Sequence, residues 1–271
     1  MEAFLNRFHK WILKWYLKLI LIGLCAILLC VFAYSAYRIV STLNGYHKAE
    51  QTYTEISQSV VTVVASPTPV PIENQKPDVD PEVSPISVDF EALRNISNDY
   101  VAYIYCPDTK IDYPVAYTDN NFYYIDHIPP EQVNANGTIF IDCRNASDFS
   151  DQNTCIYGHN MNDGSMFATL REYRNEGFYP EHPVMYLSTP DFNYRLDLIA
   201  GFVTEPTSFA YAGQFDSEEQ FMAHIELCRD LSTFQSDVEV TPEDHIVTLS
   251  TCTYEIDDGR YVVVAKLTQI H

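Results

Sequence analysis

The sequence predicts a mainly β domain, a closed barrel or a sandwich with a few helices, behind one N-terminal apolar helix. Three observations carry this. Short runs rich in β-branched and aromatic residues recur from Tyr100 to Thr268 and are divided by turn residues. Helical patterns are few and do not alternate with the strands, which disfavours a parallel α/β sheet. Residues 19–37 carry no charge and suffice for one bilayer crossing.

The apolar stretch comes first in the chain. Residues 1–38 hold five basic side chains, Arg7, Lys10, Lys14, Lys18 and Arg38, against one acid, Glu2. The basic flank lies on the N-terminal side, which places residues 1–18 in the cytoplasm and everything after the span outside. Trp15, Tyr16, Tyr34 and Tyr37 fall where interfacial aromatics sit. A cleaved signal peptide is the competing reading, but the apolar run exceeds the usual ~7–15 residues of such a segment, which favours an uncleaved transmembrane anchor over residues 19–37.

Residues 38–87 read as a juxtamembrane segment followed by a linker. Thr42–Val64 is polar and in part helical. Ser66–Pro85 carries six prolines and no apolar period, the composition of an extended spacer. The folded domain is expected over residues 88–271. Its strands are read at Tyr100–Tyr105, Tyr113–Ala116, Thr138–Asp142, Thr154–Tyr157, Val184–Ser188, Tyr194–Val203, Ile246–Thr251 and Tyr261–Thr268. Asn136-Gly137 and Asp258-Gly259 supply hairpin-type turns. Helices are read at Phe90–Ile96, Met166–Tyr173 and Ser217–Leu231, the last with Ser217 at its start and Phe221, Ile225 and Leu231 on its apolar face.

Of 271 residues, 37 are acidic and 16 basic, a net charge of −21. No basic block lies outside the N-terminus, so nucleic acid is excluded as a partner, because phosphate backbones demand clustered positive charge. With 46% hydrophobic and 14% aromatic residues the chain can build a core, which excludes global disorder.

Seven cysteines are present, two of them, Cys25 and Cys30, inside the apolar stretch. Cys106, Cys143, Cys155, Cys228 and Cys252 remain, an odd number, so at least one thiol is free or paired between chains. No cysteine or histidine cluster has zinc spacing, and whether acids such as Asp148 and Asp151 hold calcium is left open by the sequence. Cys252 ends the strand HIVTLSTC, with Arg260 opening the next strand, and nearby positive charge favours a nucleophilic thiolate. His127, His182, His224 and His245 have no distinctive setting. His159 stands on a loop just after a strand, in CIYGHNMNDGSMFATL, where catalytic groups commonly lie.

YGHNMNDGSMF at Tyr157–Phe167, and TLSTC at Thr248–Cys252 with Arg260 eight residues later, resemble the signature of the sortases, the membrane-anchored cysteine transpeptidases of Gram-positive bacteria. The likeness covers roughly Val88 to His271. It implies the closed eight-stranded sortase-type β-barrel. The motif wording and the helix at Ser217–Leu231 resemble class B. A class D-like enzyme is the alternative.

The resemblance also implies a mechanism. Cys252 attacks the carbonyl of a threonine in a C-terminal sorting peptide and forms a thioester; His159 exchanges the protons; Arg260 holds the substrate backbone and the developing oxyanion. The expected partners are surface proteins bearing a sorting motif and an amine of a peptidoglycan precursor. No metal or organic cofactor is called for. Asn120, in YTDNNFYY, and Ser250 match groove-lining positions of class B. Thr253 departs from those class B members that carry an acid after the nucleophile. A hydrolytic cysteine protease is the nearest rival, although papain-like proteases order Cys before His in the chain. A non-enzymatic adhesion or scaffold domain is the other.

Overall fold

The computed structural model describes residues 1–64, 83–253 and 258–271, the side chains of residues 2–7 and 10 excepted. Two compact units are formed, Met1–Lys48 and Ala49–His271. The elements in chain order are α1 (Glu2–Val60), β1 (Val61–Val63), β2 (Ile86–Val88), α2 (Phe90–Ile96), β3 (Tyr100–Tyr105), β4 (Asp112–Ala116), β5 (His127–Ile128), β6 (Gln132–Val133), β7 (Ile139–Ile141), β8 (Asn153–Tyr157), α3 (Phe178–Glu181), β9 (Val184–Ser188), β10 (Asn193–Thr204), α4 (Glu218–Leu231), β11 (His245–Cys252) and β12 (Arg260–Ile270).

The first unit is helical and holds a candidate membrane span. Leu21, Ile22, Leu24, Ile27, Leu28 and Leu29 are all exposed. Length and apolar composition make this helix a candidate for crossing a membrane.

The second unit is a closed barrel in the order β10-β12-β11-β8-β7-β4-β3-β9. The predicted eight-stranded barrel is therefore present, with every strand near its expected place. Two of the pairings are parallel, β11 with β8 and β4 with β7. Alternation along β12 explains its unbroken apolar run: Tyr261, Val263 and Ala265 join the main core, while Val262 and Val264 join a second cluster with Phe221, Ile225 and Cys228 of α4. Ser217 caps α4 by accepting from the Gln220 amide at 3.2 Å, as its sequence position suggested. Leu231, expected on the buried face, is exposed, and His224 and Cys228 are buried there instead. The helix expected at Met166–Tyr173 is a 3-10 helix over Ala168–Arg174. Asn136-Gly137 does not join paired strands; it turns the chain into β7, with Gly137 at φ 58°.

The larger correction concerns residues 38–87. Ala49, Tyr53, Ile56 and Val60 recur at helical spacing and are buried in the main core, so the compact unit begins at Ala49, not near Val88. Tyr53 donates its hydroxyl to the Gly137 carbonyl at 2.5 Å, and Ser57 donates to Asp112 at 2.8 Å. β1 then pairs antiparallel with β2, Val61 opposite Val88 and Val63 opposite Ile86. The proline-rich segment, expected over Ser66–Pro85, lies outside the described residues except for residues 83–85. The described residues on either side of it, Val61–Val63 and Ile86–Val88, are the two paired strands.

Candidate active site

β8 and β11 lie parallel with Tyr157 opposite Ser250, and the Gly158 amide donates to the Ser250 carbonyl at 3.0 Å. His159 and Cys252 each follow that level by two residues, so both leave the same end of the barrel. β12 returns antiparallel to β11 and sets Arg260 directly opposite Cys252. His159, Ser250, Cys252 and Arg260 all line one pocket of about 490 Å³.

Gly158 is required by packing. A Cβ there would collide with Ile139 and come within 2.7 Å of the Phe167 ring, and both neighbours are buried. The His159 loop is closed by the Phe167 amide, which donates to the His159 carbonyl at 2.9 Å. Nε2 of His159 lies 2.6 Å from the Ile125 carbonyl. A carbonyl only accepts, so Nε2 carries the hydrogen and Nδ1 is the nitrogen left for proton exchange.

All seven cysteines are free thiols. Burial pushes the Cys106 thiol up to about 11 and those of Cys155 and Cys228 up to about 12, which makes them poor nucleophiles at neutral pH. In the second unit only Cys143 and Cys252 are partly exposed, and only Cys252 lines the pocket. Arg260 donates through Nη1 to the carbonyls of Asp258, at 2.7 Å, and Gly259, at 3.1 Å. The phenol of Tyr211 is pushed up to about 12, chiefly by burial, while the Ser250 hydrogen bond and the Arg260 charge pull it down and the Cys252 thiolate charge pushes it up.

Ser250 is buried, with its hydroxyl 2.9 Å from that of Tyr211. Asn120 is not among the lining residues; its side chain accepts from the Phe122 amide at 2.9 Å and caps its own turn. The neighbouring Asn121 lines the pocket instead. Asp151 accepts from the Asn145 side chain and the Ala146 amide, both at 2.8 Å, and from the Gln214 side chain at 2.5 Å, and Asp148 accepts from the Ser150 amide at 3.0 Å, so these acids are taken up by structural hydrogen bonds. Among the described residues no group of three His, Cys, Asp or Glu could hold a metal.

Sequence reasoning missed a carboxylate. Asp142 is 1% exposed in its side chain and its oxygens accept from five donors: the Arg144 amide, Nε and Nη2, Asn121 Nδ2 and the Tyr157 hydroxyl. Burial alone would raise this carboxyl, but the Arg144 hydrogen bonds, with those of Asn121 and Tyr157, outweigh it and hold the group well below the usual carboxylate range. The only signal was a two-residue spacing, Asp142 to Arg144, at a strand end.

Known proteins are similar to this chain over most of its length. The sortase-domain family model matches residues 104–268. Sortase B of Listeria monocytogenes is 33% identical over 247 residues, covering 90% of this chain and 95% of the relative. Among solved structures, sortase B from B. anthracis in complex with AAEK1 superposes with a TM-score of 0.68 at 31% identity, covering 84% of this chain and 99% of that one. The Staphylococcus aureus sortase B–substrate complex gives 0.63 at 30% identity, over 67% and 85%. With the barrel, the pocket and these likenesses together, the chain belongs to the sortase family of cysteine transpeptidases and is most like class B.

Proposed function

We propose that the chain is a membrane-anchored sortase that cleaves a C-terminal sorting motif after Thr and joins the protein to a cell-wall amine. One observation carries the assignment of roles: the parallel β8–β11 register, continued by the β11–β12 hairpin, supports His159, Cys252 and Arg260 acting in one pocket. The Cys252 thiolate attacks the threonine carbonyl, and the carbon–oxygen π pair moves onto the oxygen. The tetrahedral species collapses by breaking the C–N bond, and His159, donating from Nδ1, protonates the departing amine. A thioester remains. The incoming amine loses its proton to Nδ1, attacks the thioester and expels the thiolate, which leaves a new amide bond. Arg260 needs one guanidinium edge turned from its own loop to meet the developing oxyanion.

The exposed Phe122 and Ile125, with Pro206, give the pocket an apolar side suited to an extended peptide. The candidate span and the basic residues before it support a single-pass membrane protein with a cytoplasmic N-terminus and an extracellular catalytic domain. On this reading the partners are surface proteins bearing the motif, an amine of a peptidoglycan precursor, and the membrane.

Full-length protein in detergent micelles tests the reading. LPxTG-, NPxTN- and S/PPxTG-like peptides, incubated with added amines, should give an acyl-enzyme mass on Cys252 and a peptide–amine product. Hydrolysis alone across several amines would count against transpeptidation to a wall amine. Protease accessibility of the C-terminal unit on intact cells checks the orientation; protection there would reverse it.

A further inference from the structure

The Asp142–Arg144 pair lies in the catalytic pocket and has no part in the chemistry above. Its geometry is unusual for a surface ion pair. Asp142 is buried and its two oxygens are saturated by donors, so it has no capacity left for a substrate amide. Arg144 is the reverse: its side chain is 67% exposed, and only Nε and one N–H of Nη2 are committed to Asp142. The two-point grip fixes the plane of the guanidinium, which also interacts with the Tyr157 hydroxyl, and its exposure leaves N–H groups that a ligand can reach.

Charge points the same way. Asp142 and Arg144 cancel, and Arg260 leaves the described lining with one net positive charge, in a chain of net −21. At physiological salt the acidic surroundings are screened beyond about 8 Å, so a bound peptide feels the lining rather than the whole domain.

We propose that Arg144, held in place by Asp142, is a specificity-determining residue that takes a carboxylate side chain of the sorting peptide, so that the pocket prefers an acidic residue over lysine at one position beside the scissile threonine. This rests on the sortase reading of the pocket. A fixed guanidinium fork pairs with a planar carboxylate through parallel N–H···O bonds, whereas an ammonium group meets only repulsion there. The bland account is that Arg144 only neutralises Asp142. Under that account its loss lowers stability and leaves substrate choice alone.

The test is a set of sorting peptides carrying Glu, Gln or Lys in turn at each position flanking the threonine, cleaved by full-length protein in micelles. For the wild type, kcat/KM should favour Glu over Lys by about 3- to 10-fold at one position, the range of a partly exposed charge-assisted contact. The ratio should shrink as salt is raised from 50 mM to 1 M, a measurement that needs no variant. Arg144→Gln should bring the ratio near one, and Arg144→Glu should invert it. A wild-type ratio near one at every position, or a ratio unchanged in both variants, overturns the proposal while the transpeptidase reading stands. If the wild type cleaves no peptide in a Cys252-dependent way, both fall.

Discussion

The amide of Gly158 and the carbonyl of Ser250 are joined by a 3.0 Å hydrogen bond that levels the ends of two parallel strands, one leading to the candidate base and the other to the candidate nucleophile. Gly158→Ala inserts a methyl against Ile139 and Phe167 at that level. Overpacking of this kind costs about 1–3 kcal/mol and shifts backbone. The variant should lose stability in urea and lose kcat more than KM. Wild-type kcat with a lowered midpoint would show that the level is not critical.

Thiol labelling should separate the cysteines of the second unit by burial. Iodoacetamide at pH 7 should modify Cys143 and Cys252 and spare Cys106, Cys155 and Cys228, whose thiols burial pushes up. Inactivation should track the mass added on Cys252. Cys143→Ala should stay active and be inactivated at the same rate, and Cys252→Ala should lose peptide cleavage; retained cleavage would remove the nucleophile.

Arg260→Ala should lower kcat/KM about 10²-fold, the scale of losing an oxyanion donor, with the folded structure intact by circular dichroism. Arg260→Lys keeps the charge but not the fork and should recover only part of it. An unchanged kcat/KM would place the guanidinium in loop packing alone, since its Nη1 already binds the Asp258 and Gly259 carbonyls.

Asp142 gives an acid-limb prediction. Its folded carboxyl is depressed below an unfolded value of about 3.9, so its contribution is fully present above that value and fades as pH falls through the folded pKa. Asp142→Asn should therefore destabilise the protein at pH 7 by about 1–3 kcal/mol, and the gap from wild type should narrow below pH 4. A gap constant from pH 7 to pH 3 would contradict the ionised state.

Tyr53 fixes the end of α1 against the barrel, with its ring 5.1 Å from that of Tyr113 and its hydroxyl on Gly137. Tyr53→Phe should cost about 1 kcal/mol and Tyr53→Ala about 3–5 kcal/mol, read from denaturant midpoints. A negligible loss for the alanine variant would mean that the packed end of α1 is not part of the stability unit.

The barrel was legible because each of its strands is a short apolar run bounded by turn residues, and the apolar helix because it is uncharged. His159, Cys252 and Arg260 were legible as motifs. The docked end of α1 was not, since Tyr53, Ile56 and Val60 are spaced among Gln, Thr, Glu and Ser and the polar composition hides the helical period. Asp142 and Arg144 showed only as a two-residue spacing, because what distinguishes them is five convergent donors from three segments, which linear spacing does not record. Asn120 caps its own turn while its neighbour Asn121 lines the pocket, because adjacent side chains in a turn diverge, a difference that the run Asp-Asn-Asn does not record.

The β1–β2 ladder has an engineering consequence. Both ends of the intervening run are fixed side by side, with the Val64 amide donating to the Pro85 carbonyl at 2.9 Å. The entropy of closing such an excursion grows only slowly with its length. Residues can therefore be added to or removed from 65–82, an epitope or an affinity tag included, without altering how much chain separates the apolar helix from the catalytic unit. The tether and the proline-rich run are independently variable parts.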